Sequence, residues 1–370
     1  MENSLISPKE YKELLSQASN WRRHLHRYPE LSFQEHKTTE YIKQELTQMG
    51  IRFEAVSPTG VIGFIQGNGK SDRSVALRAD IDALPIHEEN THDYCSKING
   101  SMHACGHDYH TSNLLATAKI LQSARCRING NIILIFQAAE ERIPGGAKAI
   151  VESGILDNRN LEAVIGLHVS PQLPIGQFGF KSDIFMASAD EIYINIHGKG
   201  GHAAQPQLNT DPVTITAQLL VGLQQIVSRS ADPRIPSVLS FGRVEALGAA
   251  NVIPSVVHIA GTFRTTDEHW RQRALIQIEK FVLEQSSAMG ASADVDIKHG
   301  YPALINSPEI IAHLKQQAEL LVGGVNVIDM PIWMAAEDFA YYTQKYPAAF
   351  FLVGTKNEEK GILSELHTPT

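Results

Sequence analysis

Ten consecutive residues, Ser101 to His110, carry three histidines, a thiol and a carboxylate: His103, Cys105, His107, Asp108 and His110. Cys105 and His107 stand two apart, so a turn can aim both at one point. The run Leu114–Leu121 predicts a helix just behind them, whose positive end would lower the thiol pKa and favour a metal-binding thiolate. Alone, the pair equally describes a buried structural thiol beside a capping turn. Its company favours the metal. Apolar runs at Val75–Ala79, Asn131–Gln137 and Ala163–Leu167 read as buried strands, and they end in Asp80 and Asp82, in Glu140 and Glu141, and in His168. In open α/β sheets the site forms outside the carboxyl ends of the strands. Mixed N, S and O donors suit Zn²⁺, and also Mn²⁺, Co²⁺ or Ni²⁺. These are more ligands than one tetrahedral ion takes, so two ions sharing a bridging ligand are expected. Such a pair lowers the pKa of a bound water and polarises a scissile carbonyl. Glu140 and Glu141 cannot point the same way from an extended segment, so one is expected to bind metal while the other faces the water as a base.

The elements that must position these residues follow from periodicity and stop signals. A helix is predicted over Ser7–Leu25, with Pro8 in its opening turn. Ser32 to Glu35 reads as a capping box for a second, with apolar Ile42, Leu46 and Met49 and a stop at Gly50. A fourth apolar run, Ala348–Val353, closes with Gly354, and His367 lies beyond it. Between residues 181 and 299 the pattern changes. Ile192, Ile194 and Ile196 alternate with polar residues. Asp211-Pro212 opens a helix with a stripe of Val213, Ala217, Leu220, Leu223 and Val227. Strands at Ser237–Val244 and Val256–Arg264, a helix over Asp267–Met289 and a strand at Ala293–Lys298 complete a β-α-β-β-α-β order. The expected architecture is therefore α/β: a mixed-sheet domain of residues 1–180 and 300–370, with a ferredoxin-like α+β domain of residues 181–299 inserted in it.

The chain's 370 residues are long for one core, and 43% hydrophobic with 19% charged residues is ordinary for a globular enzyme. A net charge of -8 without any basic run excludes nucleic acid as an expected partner. The polar N-terminus has no signal-like apolar region and no apolar run spans a bilayer, so no membrane partner and a cytoplasmic location are expected. Three cysteines, Cys95, Cys105 and Cys126, lack framework spacing and suit a reducing compartment.

Several segments together carry a resemblance. Arg78 to Pro85, Met102 to Asp108, Ala139-Glu140-Glu141, Gly166-Leu167-His168, Gly198 to Ala203, Asn251 to Pro254, Ala336 to Phe339 and Leu366 to Pro369 resemble the co-catalytic metallopeptidase family. The likeness is greatest to its amidohydrolase branch of hippurate hydrolases, N-acyl-amino-acid deacylases and auxin-conjugate hydrolases, and runs from about Trp21 to the chain end. It implies Cys105, His107, Glu141, His168 and His367 as ligands of two divalent ions, with Cys105 bridging, and Glu140 as the general base. Asp82 would orient a ligand or the base, or else cap the following turn. His202 matches a lid histidine that reaches the substrate across a dimer interface and helps hold the oxyanion; otherwise it is a polar residue after a Gly-rich turn. Asn251 and Arg264 are candidates for gripping the substrate's oxyanion or carboxylate, Arg264 being alternatively an exposed strand arginine. The inserted domain becomes a lid that mediates a homodimer, and the substrate a small N-acyl amino acid.

Other polar residues are expected to be supporting. His103, Asp108 and His110 read as helix caps or props behind the ligands, His24 and His26 as structural, and Glu337 and Asp338 as part of the site's wall. Gly145-Gly146 lacks the rest of a phosphate-binding fingerprint, which rejects a nucleotide site. The family usually continues past the His-Thr-Pro motif into a final helix. This sequence stops at Thr370, so if the natural chain ends there, and is not a truncated one, His367 is expected on a fraying end with weakened hold on metal. Two rivals to deacylation remain: a dipeptidase or aminopeptidase using the same metals, and a metal-dependent binding protein without turnover.

Overall fold

The computed structural model describes residues 5–56 and 58–370. Ser7 caps α1 (Pro8–Arg27): its hydroxyl accepts from the Glu10 N–H, and the Glu10 carboxylate accepts from the Ser7 N–H. The helix runs past the expected Leu25, which puts His26 on its buried face. The second capping box does not form. No side chain caps α2 (His36–Gln48) at its N-cap Glu35; the Glu30 carboxylate accepts from the Thr38 N–H instead. Ser32 and Glu35 turn inward, where buried polar groups need partners more than a solvated helix end does.

Next come β1 (Arg52–Ala55), β2 (Val61–Gln66), β3 (Ser74–Asp80), α3 (His107–Ser123), β4 (Asn131–Gln137), α4 (Gly146–Ser153) and β5 (Leu161–Pro174). β3 and β4 pair in parallel from Ser74↔Asn131 to Asp80↔Gln137, so both finish at one level. Ile133, Leu134, Ile135 and Phe136 are buried, as a strand covered on both faces requires. β5 does not end at Leu167 but continues through His168 to Pro174.

The chain goes on through β6 (Phe178–Phe180), β7 (Asp183–Met186), β8 (Asp190–His197), β9 (Gly201–His202), α5 (Pro212–Gln225), β10 (Ser237–Glu245), β11 (Val252–Ile253), β12 (Val256–Thr265), α6 (Glu268–Ala288) and β13 (Ser292–His299). It closes with β14 (Leu304–Asn306), α7 (Pro308–Val322), β15 (Val327–Asp329), α8 (Ala340–Thr343) and β16 (Ala348–Lys356). The last of these pairs in parallel with β5, Leu352 opposite His168, and this partner is what carries β5 past Leu167.

The chain divides into two compact units. The first runs up to Phe185 and takes in Ile305–Pro331 and Asp338–Thr370. It holds a mixed eight-stranded sheet, β1-β2-β4-β3-β5-β16-β6-β15. Trp21, Ile42, Leu46, Leu114, Leu115 and Phe136 lie in its main apolar core. The second comprises Met186–Leu304 and Ile332–Glu337. Its antiparallel sheet, β10-β12-β8-β13, has the strand order of the ferredoxin-like pattern. Ile192, Ile194 and Ile196 point one way onto Leu219, Leu223, Trp270 and Ile278 of the two helices. That one-sided burial is the reason for the period-two alternation.

Asp211 starts α5 as read from the sequence, its carboxylate accepting from the Val213 N–H at 2.8 Å and the Thr214 N–H at 3.3 Å. Asp211→Ala is expected to cost about 0.5–2 kcal/mol, read as a lower urea midpoint with the m-value unchanged.

Candidate metal centre

The centre starts from one backbone requirement. Gly106, the N-cap of α3, has φ 86°, and a Cβ there would lie 2.4 Å from Val169 Cγ2. Only glycine fits this left-handed turn, which sets Cys105 beside His107. Cys105 Sγ is 3.4 Å from His168 Nε2 and 3.2 Å from His367 Nε2. Glu141 Oε1 lies 3.3 Å from His367 Nε2 and 3.8 Å from His107 Nε2. Two trios of donor atoms, each within 4.8 Å of one another, therefore share the thiol: Cys105 with His107 and His168, and Cys105 with Glu141 and His367.

Glu140 and Glu141 do not diverge as expected, for both bring a carboxylate oxygen to the His107 ring within the same limit. The backbone explains it. Ala139 has φ 55°, so the extended run stops before the pair and alternation no longer applies.

Hydrogen bonds decide which ring nitrogens are free. His107 Nδ1–H donates to the Asp82 carbonyl at 3.0 Å, with Asp82 Oδ1 3.2 Å away. His168 Nδ1–H donates to the Val169 carbonyl at 2.7 Å. Both rings thus present Nε2 lone pairs to the cluster. His107 Nε2 and Glu141 Oε1 are buried without a hydrogen-bond partner among the described residues. Atoms so placed fit a cation, since leaving them unsatisfied costs about 1–3 kcal/mol each.

The electrostatics point the same way. Burial disfavours a charged His107, yet Asp80, Asp82 and Glu141 outweigh it and raise its pKa to about 10. Burial opposes ionisation of Asp80, but His107, His110 and Arg78 hold its carboxyl well below the usual range. Burial, Glu141 and Glu140 push the Cys105 thiol up, reversing the lowering expected from the helix end, whose dipole is weaker than two nearby carboxylates. A cavity this negative calls for positive charge, and a coordinated ion inverts the thiol's preference.

A supporting layer holds the donors. His110 Nδ1–H donates to Asp80 Oδ1 at 2.6 Å, and its Nε2 accepts from the Val169 N–H at 2.9 Å, fixing the strand next to His168. Arg78 donates to Asp80, Gln137 and Asp338, and the Asp338 carboxylate also accepts from the Ala147 N–H. That carboxylate occupies the first turn of α4 behind Gly145-Gly146. Ser32 Oγ–H donates to Asp82 Oδ2, which also accepts the Glu141 N–H at 3.0 Å. Glu35 Oε1 accepts the Ala139 N–H at 2.8 Å, and its other oxygen accepts from Thr59. Glu35 and Asp82, the latter steadied by Ser32, thereby hold the amides on both sides of Glu140. Glu35→Leu is expected to lower kcat about 10- to 100-fold with KM little changed. Glu35→Gln, which keeps an oxygen for Ala139, retains most activity in the same steady-state assay.

The tail is tied down rather than frayed. His367 N–H donates to the Ala104 carbonyl and the Glu89 N–H donates to the Pro369 carbonyl, both at 2.8 Å. His103 does not cap α3, but Asp108 does: its Oδ1 accepts from the Tyr109 N–H in the first turn at 2.8 Å. Asp108 accepts from Arg22 and His26; the buried His103 ring has no hydrogen-bond partner among the described residues, and burial pulls its pKa down to about 4. His24 stacks on Tyr41, as a structural residue does.

In the second unit, β9 pairs with β11, which sets His202 opposite Val252 and next to Asn251, whose carbonyl accepts the Ala203 N–H. His202 and Asn251 are both exposed. Arg264 is half-buried on β12 and donates to the Met334 carbonyl at 3.1 Å, so it is not a free surface arginine. Glu337 is buried in this unit, whereas Asp338 belongs to the first.

Sequence reasoning placed Asp80 at a strand end beside the site without giving it a role, and assigned no place there to Ser32, Glu35, Arg78 or Gln137. Only Asp80 had a legible signal, the alternation of Arg78, Asp80 and Asp82 at strand period two.

Comparison with known proteins identifies the family. The model of peptidase family M20/M25/M40 matches residues 76–369. The N-acetyl-L-cysteine deacetylase of Bacillus subtilis is 40% identical over 353 residues, 95% of this chain and 83% of the relative. The N-acyl-L-amino acid amidohydrolase of Geobacillus stearothermophilus is 43% identical over 309 residues, 82% of this chain and 83% of the relative. A solved Bacillus subtilis structure, described as a dinuclear metal binding peptidase from the M20 family, superposes with a TM-score of 0.80 at 34% identity, covering 97% of this chain and 92% of that one. The chain belongs to peptidase family M20/M25/M40, as an enzyme of its amidohydrolase branch.

Proposed function

We propose that this enzyme hydrolyses the amide of N-acyl amino acids, releasing a carboxylic acid and an amino acid, with Cys105, His107, Glu141, His168 and His367 holding two divalent ions. The observation that carries the ligand assignment is the shared thiol: Cys105 Sγ stands between His168 Nε2 and His367 Nε2 at 3.4 and 3.2 Å. Zn²⁺ or Mn²⁺ suits this donor set, as do Co²⁺ and Ni²⁺. When bound, the ions supply Lewis acidity to the amide carbonyl and to a water. Glu140 takes a proton from that water as it attacks the carbonyl carbon and passes it to the leaving nitrogen as the C–N bond breaks. Asp82 fixes the His107 ring through Nδ1 and, through the Glu141 N–H, the segment that carries both glutamates. His202, Asn251 and Arg264 grip the oxyanion and the substrate carboxylate, and residues 181–299 serve as the lid through which a homodimer forms. No helix among the described residues is long and apolar enough to cross a membrane, and we assign the enzyme to the cytoplasm.

The peptidase description of the related solved structure favours one rival, cleavage of free dipeptides. Amine release from N-acetyl and N-benzoyl amino acids, measured beside free dipeptides with Mn²⁺ or Zn²⁺ supplied, separates the two. Chelator-sensitive release from the blocked substrates alone is expected. Release from free dipeptides alone would make the enzyme a peptidase.

A further inference from the structure

A second cluster of metal-ligating side chains lies in the first unit, outside the group around Cys105. His26 on α1 and Glu88 and His92 in the irregular segment 86–97 bring three donor atoms within 4.8 Å of one another. Glu88 Oε1 is 3.2 Å from His26 Nε2 and 3.5 Å from His92 Nε2. Two ligand atoms about 2 Å from a tetrahedral ion stand about 3.4 Å apart, which is this spacing. Each donor is also aimed from behind. His26 Nδ1 is 2.9 Å from Asp108 Oδ2, the carboxylate–histidine arrangement that orients metal-binding imidazoles. His92 Nδ1 is 3.3 Å from Cys95 Sγ, and its ring stacks on Tyr94 with centroids 3.8 Å apart. The other Glu88 oxygen accepts the Ser96 N–H at 2.6 Å. The His92 side chain is 31% exposed, which leaves a path for an ion and room for a water as fourth ligand.

We propose that His26, Glu88 and His92 form a third divalent-cation site, taking Zn²⁺ or a similar borderline ion and pinning segment 86–97 to α1. Glu88 carries negative charge against two imidazoles, and Asp108 offsets the nearby Arg22, so a divalent ion is electrostatically tolerated. Protons on the two Nε2 atoms compete for the same space, since Glu88 Oε1 can accept from both rings and also accepts from Asn90 at 3.0 Å. None of its three ligands is assigned to the amide-cleaving machinery.

The test counts zinc. The full chain is equilibrated with Zn²⁺ at neutral pH, freed of excess, and assayed for bound metal by mass spectrometry beside His92→Phe and Glu88→Gln. Phenylalanine keeps the stack on Tyr94 but has no donor nitrogen. Each variant is expected to hold one zinc fewer per chain than the parent, to lose the parent's zinc-dependent gain in Tm, and to keep kcat within about twofold. Equal zinc content in all three proteins would overturn the proposal and leave a proton-bridged ion pair. Loss of an equivalent together with a tenfold or greater fall in kcat would also overturn it, because the missing ion would then belong to the centre around Cys105.

Discussion

Glu140→Gln is expected to lower kcat about 10²- to 10⁴-fold while bound metal stays at the parental level. The change is nearly isosteric and removes only the ability to hold a proton. Glu140 is buried in the wall of the centre, yet the thiol-sharing trios of donor atoms do not include it. The backbone that presents it is held from both sides, by Glu35 on the Ala139 amide and Asp82 on the Glu141 amide, so the amide side chain should occupy the same place. KM should change little, because the lost interaction acts on the moving proton and not on bound substrate. Retention of more than about a tenth of the activity would remove Glu140 as the base. Loss of metal along with activity would make it a ligand instead.

Arg78→Met is expected to destabilise the protein by about 3–5 kcal/mol, the cost of leaving buried charges uncompensated. The Arg78 side chain is fully buried and donates to Asp80 at 2.8 Å, Asp338 at 2.8 Å and Gln137 at 2.9 Å. Methionine fills much of the space and supplies no charge. Net stabilities are about 5–15 kcal/mol, so the loss is a large part of the whole, and a strongly reduced urea midpoint is the readout. The pH dependence has a definite sign. Burial already raises the Asp338 carboxyl in spite of Arg78, and removing the guanidinium raises it further. A carboxyl whose folded pKa exceeds its unfolded value of about 4 destabilises above that range and ceases to do so below it. The deficit of Arg78→Met relative to the parent should therefore shrink as pH falls from 8 towards 5. A midpoint within experimental error of the parent's at pH 8 would show the ion network to be dispensable.

The strands and their polar ends were legible because burial on both faces forces a continuous apolar run, and a strand's end is where polar residues can begin. β4 shows it: Asn131–Gln137 is both the apolar run and the observed strand. The α+β unit was equally legible, since one-sided burial writes period two into β8 and a cap with proline marks α5. The reading failed where a local signal competed with a distant partner. Ser32 and Glu35 match a capping box in every local respect, but Asp82 and the Ala139 amide claim them from 50 and 104 residues away. β5 was cut short at Leu167 because its partner β16 arrives some 180 residues later. Glu140 and Glu141 were read as diverging because a left-handed Ala139 leaves no mark in composition.

Sequence alone determined the mixed α/β class and the inserted β-α-β-β-α-β order, because burial periodicity is a property of residue type and spacing, while the candidate ligands and base were named through the family resemblance. Tertiary structure alone decided that Cys105 meets His367 across 262 residues, that Arg78 reaches Asp338 across 260, and which ring nitrogen each histidine leaves free. Those facts depend on which buried polar groups end up within hydrogen-bonding distance once the sheet has assembled, and no local pattern encodes that distance.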